Sequence, residues 1–202
     1  QGKVAEANPL NERSLAIREK ALGPEHPDVA QSLNNRAQLL TAQVRVQGFS
    51  WNTTGSKTTT SEWNISGKYD EAKPLHERSL SIREKTLGPE HPGMSESLNN
   101  LAGCLESQGK HEEAEPLYRR SLAIDEEVYG PDHPEVATDL NNLAGLLETQ
   151  GKYAEADRLY LRAIEIGEKA LGPDHPNLAI SLNNRAMLLK NLVRTKQAST
   201  RL

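Results

Sequence analysis

The 202 residues carry 24 Lys and Arg against 28 Asp and Glu, a formal charge of −4 with the two signs interspersed, so no basic face for nucleic acid is present. Apolar residues make up 36% and aromatics only 4%, which suits helices packed through Ala and Leu; no apolar run reaches the roughly 18 residues of a membrane helix or resembles a signal sequence. One cysteine, Cys104, cannot form an internal disulfide, so the expected compartment is reducing and cytoplasmic.

In chain order the first predicted element is a helix over 2–22, stopped by Gly23-Pro24. Gly23-Pro24-Glu25-His26-Pro27 then returns as Gly88-Pro89-Glu90-His91-Pro92, Gly130-Pro131-Asp132-His133-Pro134 and Gly172-Pro173-Asp174-His175-Pro176. The last three stand 42 residues apart. The same step separates Gly67-Lys68, Gly109-Lys110 and Gly151-Lys152, and also Leu98-Asn99-Asn100, Leu140-Asn141-Asn142 and Leu182-Asn183-Asn184. A fixed period of this length marks a repeat array in which each unit leans on its neighbours. With no starting Met and the Gly-Lys mark already at Gly2-Lys3, the chain reads as a piece of a longer product.

The first copy is displaced. From Gly23 to Gly88 is 65 residues, so 23 extra residues interrupt the array, and deleting Val44 to Ser66 restores Gln43-Gly67-Lys68 to the form Gln150-Gly151-Lys152. The expected organisation is a partial repeat plus a first A helix over 1–43, an insertion over 44–66, the regular array over 67–192 and a basic, polar tail over 193–202. The insertion holds both Trp and the only Phe among Thr and Ser. One ordered reading is a β-hairpin pairing Phe49 with Ile65, Trp51 with Trp63 and Thr53 with Ser61; a loop and translated non-coding sequence are the alternatives, because an isolated hairpin is marginal in water. Asn52-Thr53-Thr54 and Asn64-Ile65-Ser66 match glycosylation acceptors, a chance match without a secretion signal.

Within one regular unit, Val136, Leu140, Leu143, Ala144 and Leu147 fall on one helical face, predicting an A helix over about 134–150. Pro134 suits its first turn, where a missing N–H is no loss, Glu135 favours the positive end of the dipole, and Gly151 stops it. A B helix follows from about Tyr153 to Leu171, with Ala156, Leu159, Tyr160, Ala163 and Ile164 on its buried stripe. The short Gly-Lys link makes the pair an antiparallel hairpin.

Ala144, Leu147, Gly151, Ala156, Tyr160 and Ala163 resemble the helix-turn-helix pattern of tetratricopeptide repeats, and the 42-residue length with Leu-Asn-Asn-Leu-Ala and Gly-Pro-Asp-His-Pro resembles the kinesin light chain type. The resemblance implies an all-α, right-handed α-solenoid of antiparallel helical hairpins interrupted by one irregular insertion. Its function would be a non-catalytic protein-interaction scaffold gripping an extended peptide in a concave groove lined by A helices. The same repeat type serves as the sensor array of NB-ARC type signalling ATPases, which is the alternative reading.

An Asn amide offers a donor and an acceptor at each level, matching the alternating N–H and C=O groups of an extended peptide. In proteins this chain resembles, the second Asn of the pair contacts bound peptide. That makes Asn35, Asn100, Asn142 and Asn184 the main candidates, with Asn99, Asn141, Glu106 and Glu148 beside them; the competing reading is that some of these Asn hold neighbouring units together. Arg36 and Arg185 replace the apolar Leu101 and Leu143, so they should reach solvent or a carboxylate.

Other motifs weigh less. His26, His91, His133 and His175 recur one per unit, about 10 Å or more apart, too far to share a metal, and are expected to stabilise the turn before each A helix. Gly103 to Lys110 and Gly145 to Lys152 have the wrong glycine spacing for a phosphate loop, and Cys104 aligns with core leucines. No catalytic constellation, metal or cofactor is expected, and the partners are proteins or peptides, not nucleic acid or membrane.

Overall fold

The computed structural model describes residues 2–47 and 62–199, all-α among those residues. Two compact units divide the chain. The first, Gln1–Lys110, contains α1 (Gly2–Leu22), α2 (Pro27–Gln47), α3 (Glu62–Leu87) and α4 (Gly93–Ser107). The second, His111–Leu202, contains α5 (His111–Tyr129), α6 (Pro134–Thr149), α7 (Tyr153–Ala170) and α8 (Pro176–Ser199). Within each unit every helix packs on the next in sequence, and the A helices, α2 with α4 and α6 with α8, also touch. This is the hairpin packing that the short links require.

The apolar periodicity becomes core. Val136, Leu140, Leu143, Ala144 and Leu147 of α6 are buried, as are Ala156, Tyr160, Ala163 and Ile164 of α7, while Leu159 is half-buried. In the first unit Leu15 of α1, Val29, Ala30 and Leu33 of α2, and Ile82 of α3 form one cluster. Each such Leu, Ile or Val contributes about 1.5–3 kcal/mol by leaving water, and small Ala residues between them let the helix axes approach.

Where they separate two helices, the two repeated marks are helix caps. At Gly151 the backbone turns left-handed, with φ of 76°. Its N–H donates to Glu148 (3.0 Å) and that of Lys152 to Leu147 (2.9 Å), so two carbonyls at the end of α6 are satisfied. The repeated His caps the other end. His133 Nδ1 accepts the N–H of Glu135 at 3.2 Å, and His26, His91 and His175 accept those of Asp28, Gly93 and Asn177 at 3.1, 3.0 and 3.1 Å. Since Pro occupies the position between and has no N–H, the free donor two residues on is the one to satisfy.

The interrupted copy differs from expectation. Residues 44–47 continue α2 and residues 62–66 begin α3, so Trp63 and Ile65 are helical and the hairpin register that used them as strand residues is not formed. Extending an existing helix gains a hydrogen bond per residue fixed without the cost of a new nucleus. For the same reason α3 runs through Gly67. Phe49, Trp51, Thr53 and Ser61 lie outside the described residues. At the other end α8 carries on past Leu192 to Ser199.

Candidate functional site

Asparagines of the A helices tie those helices to one another. In the first unit Asn34 is fully buried; its Nδ2 donates to Glu96 Oε1 (3.2 Å), and its Oδ1 accepts from Asn100 Nδ2 (3.2 Å) and lies 2.9 Å from His76 Nδ1. A carboxylate only accepts, so Glu96 fixes which end of the amide is which. Asn34 Oδ1 must then face His76, so the Nδ1 of His76 carries the proton and Nε2 keeps the lone pair. Burial pushes this imidazole down to about 4. Glu96 is held in turn by Arg83 (3.1 Å), whose guanidinium also donates to the Gly93 carbonyl and Ser97 Oγ, each at 2.8 Å.

In the second unit Asn141 Nδ2 donates to the Ala137 carbonyl (2.8 Å) and to Ser181 Oγ (2.7 Å), joining α6 to α8. Glu148 Oε1 accepts from Asn191 Nδ2 at 2.9 Å across the same pair of helices. Asn34 and Asn141, first of their pairs, and Asn100, second of its pair, thus tie A helices together. Asn35 is exposed and accepts from Gln31 (3.0 Å) on its own helix, Asn100, Asn142 and Asn184 are half-buried, and Asn183 is exposed. Asn99 and Glu106 are also half-buried.

Asn99 and Asn100 come together with other residues around a cavity of about 270 Å³ in the first unit. Gln38, Thr41 and Ala42 of α2 form one wall, Tyr69 and His76 of α3 the base, and Gly103, Cys104 and Ser107 of α4 complete the other wall. Thr41 and Ser107 donate their hydroxyls to carbonyls of their own helices, at Gln38 (2.9 Å) and Gly103 (2.8 Å), which leaves their oxygens as acceptors. Cys104 donates weakly to the Tyr69 carbonyl (3.8 Å), and burial pushes its thiol up to about 11, so it is an inert wall residue. Sequence reading selected Asn99 and Asn100 but not His76. A signal existed, because His76 stands where the two following copies carry Tyr118 and Tyr160.

The two anomalous arginines find carboxylates: Arg36 meets Glu12 and Arg185 meets Asp157, both at 2.8 Å. Among the described residues no group of three His, Cys, Asp or Glu could hold a metal ion, and no helix is long and apolar enough to cross a membrane.

Tetratricopeptide-repeat models match residues 64–127, 93–169 and 140–202, and a second such model matches 1–28. Among curated proteins no sequence matches. Among solved structures, a kinesin light chain-like protein of Podosopora anserina with nearly identical TPR-like repeats is 26% identical. The match covers 98% of this chain and 83% of that one with a TM-score of 0.70, and a substituted form of the same protein gives 0.71. BtubC (BKLC) from P. vanneervenii, 18% identical over 98% of this chain and 85% of its own, shares the fold with a TM-score of 0.58. Repeat marks, hairpin packing and these matches agree: the chain belongs to the tetratricopeptide repeat family.

Proposed function

We propose that this protein-interaction scaffold is non-catalytic and holds an extended partner peptide along the polar faces of its A helices, as an adaptor segment of the kinesin light chain kind. The observation that carries the reading is the amide at the second position of each Asn pair. Asn34, Asn141 and, through one N–H to Asn34, Asn100 tie A helices together, whereas Asn35 is exposed and Asn142 and Asn184 are half-buried. An amide repeated at one level per hairpin meets the N–H and C=O groups of an extended backbone without demanding a particular side chain. The Podosopora anserina neighbour supports the adaptor reading over the ATPase sensor.

Selection of random peptides displayed on phage against the full chain tests this. Enriched peptides should lose at least tenfold in affinity on combined Asn100→Ala and Asn142→Ala substitution while the helical circular dichroism stays intact. Equal binding by the double variant would show that the asparagines are not the contact surface.

A further inference from the structure

We propose that the cavity between α2, α3 and α4 is a side-chain pocket, selective for an uncharged partner side chain with an apolar body and a hydrogen-bond donor at its tip, and that His76 is its specificity residue. This rests on the peptide-scaffold reading and deepens it.

The repeats provide an internal comparison. In the second unit the residue equivalent to His76 is Tyr160, which is buried with its hydroxyl 3.7 Å from where a β-carbon on Gly145 would stand. Met187 stands for Gly103, Leu188 for Cys104, and Asn191 for Ser107, and Asn191 reaches Glu148 across the gap. Every one of these replacements is longer in the second unit. The first unit shortens all four together, and a cavity of about 270 Å³ results.

Its wall chooses the ligand. No residue lining it is ionised at neutral pH, since His76 is held neutral by burial. The charges whose fields reach the Cys104 wall are two cations, Lys110 and Lys73, and two anions, Asp70 and Glu77, which oppose one another. A charged side chain would lose water without gaining a counter-ion. Beside the amides of Gln38, Asn99 and Asn100, the lining holds three acceptors with no proton left to give: His76 Nε2, with Nδ1 committed to Asn34, and the oxygens of Thr41 and Ser107, whose protons are spent on their own helices. A purely aliphatic guest would bury these acceptors without a donor, which should weaken its binding about tenfold for each group left unpaired. Tyr69, Ala42 and Gly103 supply the apolar side for the body of the guest. A phenol satisfies both halves.

The test uses the full chain with ¹⁵N-labelled histidine and three probes: p-cresol, toluene and benzylammonium. Long-range ¹H–¹⁵N spectra should show His76 with an unprotonated Nε2. p-Cresol should shift that resonance saturably and bind about tenfold more tightly than toluene, with benzylammonium weaker still. His76→Tyr installs the residue that two other copies carry, so it should fold, fill the pocket and abolish p-cresol binding. Gly103→Met, copied from the α8 position, should do the same from the opposite wall. A His76 resonance indifferent to p-cresol, or a folded His76→Tyr variant that still binds it equally, overturns the pocket. Neither result touches the peptide-scaffold reading, which stands or falls on the Asn100 and Asn142 substitutions.

Discussion

His76 Nδ1 lies 2.9 Å from Asn34 Oδ1, and both side chains are buried. Through that one amide, α3 meets α2, and α2 meets Glu96 and Asn100 of α4. Asn34→Ala should therefore destabilise the protein by about 2–3 kcal/mol, because it leaves a buried imidazole without its acceptor. Asn35→Ala, one residue on but exposed, should cost under about 0.5 kcal/mol. Urea denaturation of the two variants checks the contrast; equal effects would mean the two positions are not differentiated.

The same imidazole makes stability depend on pH. In the fold it protonates only near 4, against 6.5 when unfolded, and the cause is burial. Below 6.5 the unfolded chain takes up a proton that the folded chain refuses, so its contribution is present above that pH and is lost as pH falls toward about 4. The loss should reach about 3 kcal/mol. Comparing melting curves of the wild type and His76→Tyr from pH 7.5 to 4 isolates it, and parallel curves would show that His76 is not held neutral.

His133 accepts the Glu135 N–H at the start of α6. His133→Ala should cost about 1 kcal/mol, and His133→Asn should recover most of it, since an Asn oxygen can cap the same donor. If Asn recovers nothing, the imidazole acts through packing instead; its stacking on Tyr129, with ring centroids 4.6 Å apart, would be the candidate.

Glu115 of α5 accepts from Lys152 (2.8 Å), in the turn between α6 and α7, and from Arg119 (2.8 Å). The Lys152 hydrogen bond, with Arg119 beside it, holds the carboxyl down at about 2 despite the opposing effect of desolvation. Its stabilisation is therefore present above 4.5 and lost as pH falls from there toward 2. With both cations half in solvent, Glu115→Gln should cost about 1 kcal/mol at pH 7 and nothing near pH 2. Acid titration of stability for both proteins reads this directly.

Legibility followed periodicity. The Gly-Pro-[Asp/Glu]-His-Pro and Gly-Lys marks located every turn of the regular array, because caps are local chemistry acting within a few residues. The insertion was placed by arithmetic, but its edges at 44–47 and 62–66 were absorbed into α2 and α3, since helix propagation depends on what precedes and follows rather than on repeat register. Arg36 and Arg185 were recognised as anomalies, and Glu12 and Asp157, which answer them, come from the preceding helix in each case, 24 and 28 residues earlier.

By itself, then, the sequence determined the unit, its period, its two helices and their caps, because those depend on contacts within about four residues and on a pattern repeated in register. Tertiary structure decided that Asn34, Asn100 and Asn141 are spent on holding helices together while Asn35 is left at the surface. It also decided that His76, Gly103, Cys104 and Ser107, 27 to 31 residues apart on two helices, meet at one cavity. A shortened side chain makes a void only if the side chains opposite it are short too, and which residues stand opposite is fixed by helix packing rather than by spacing along the chain.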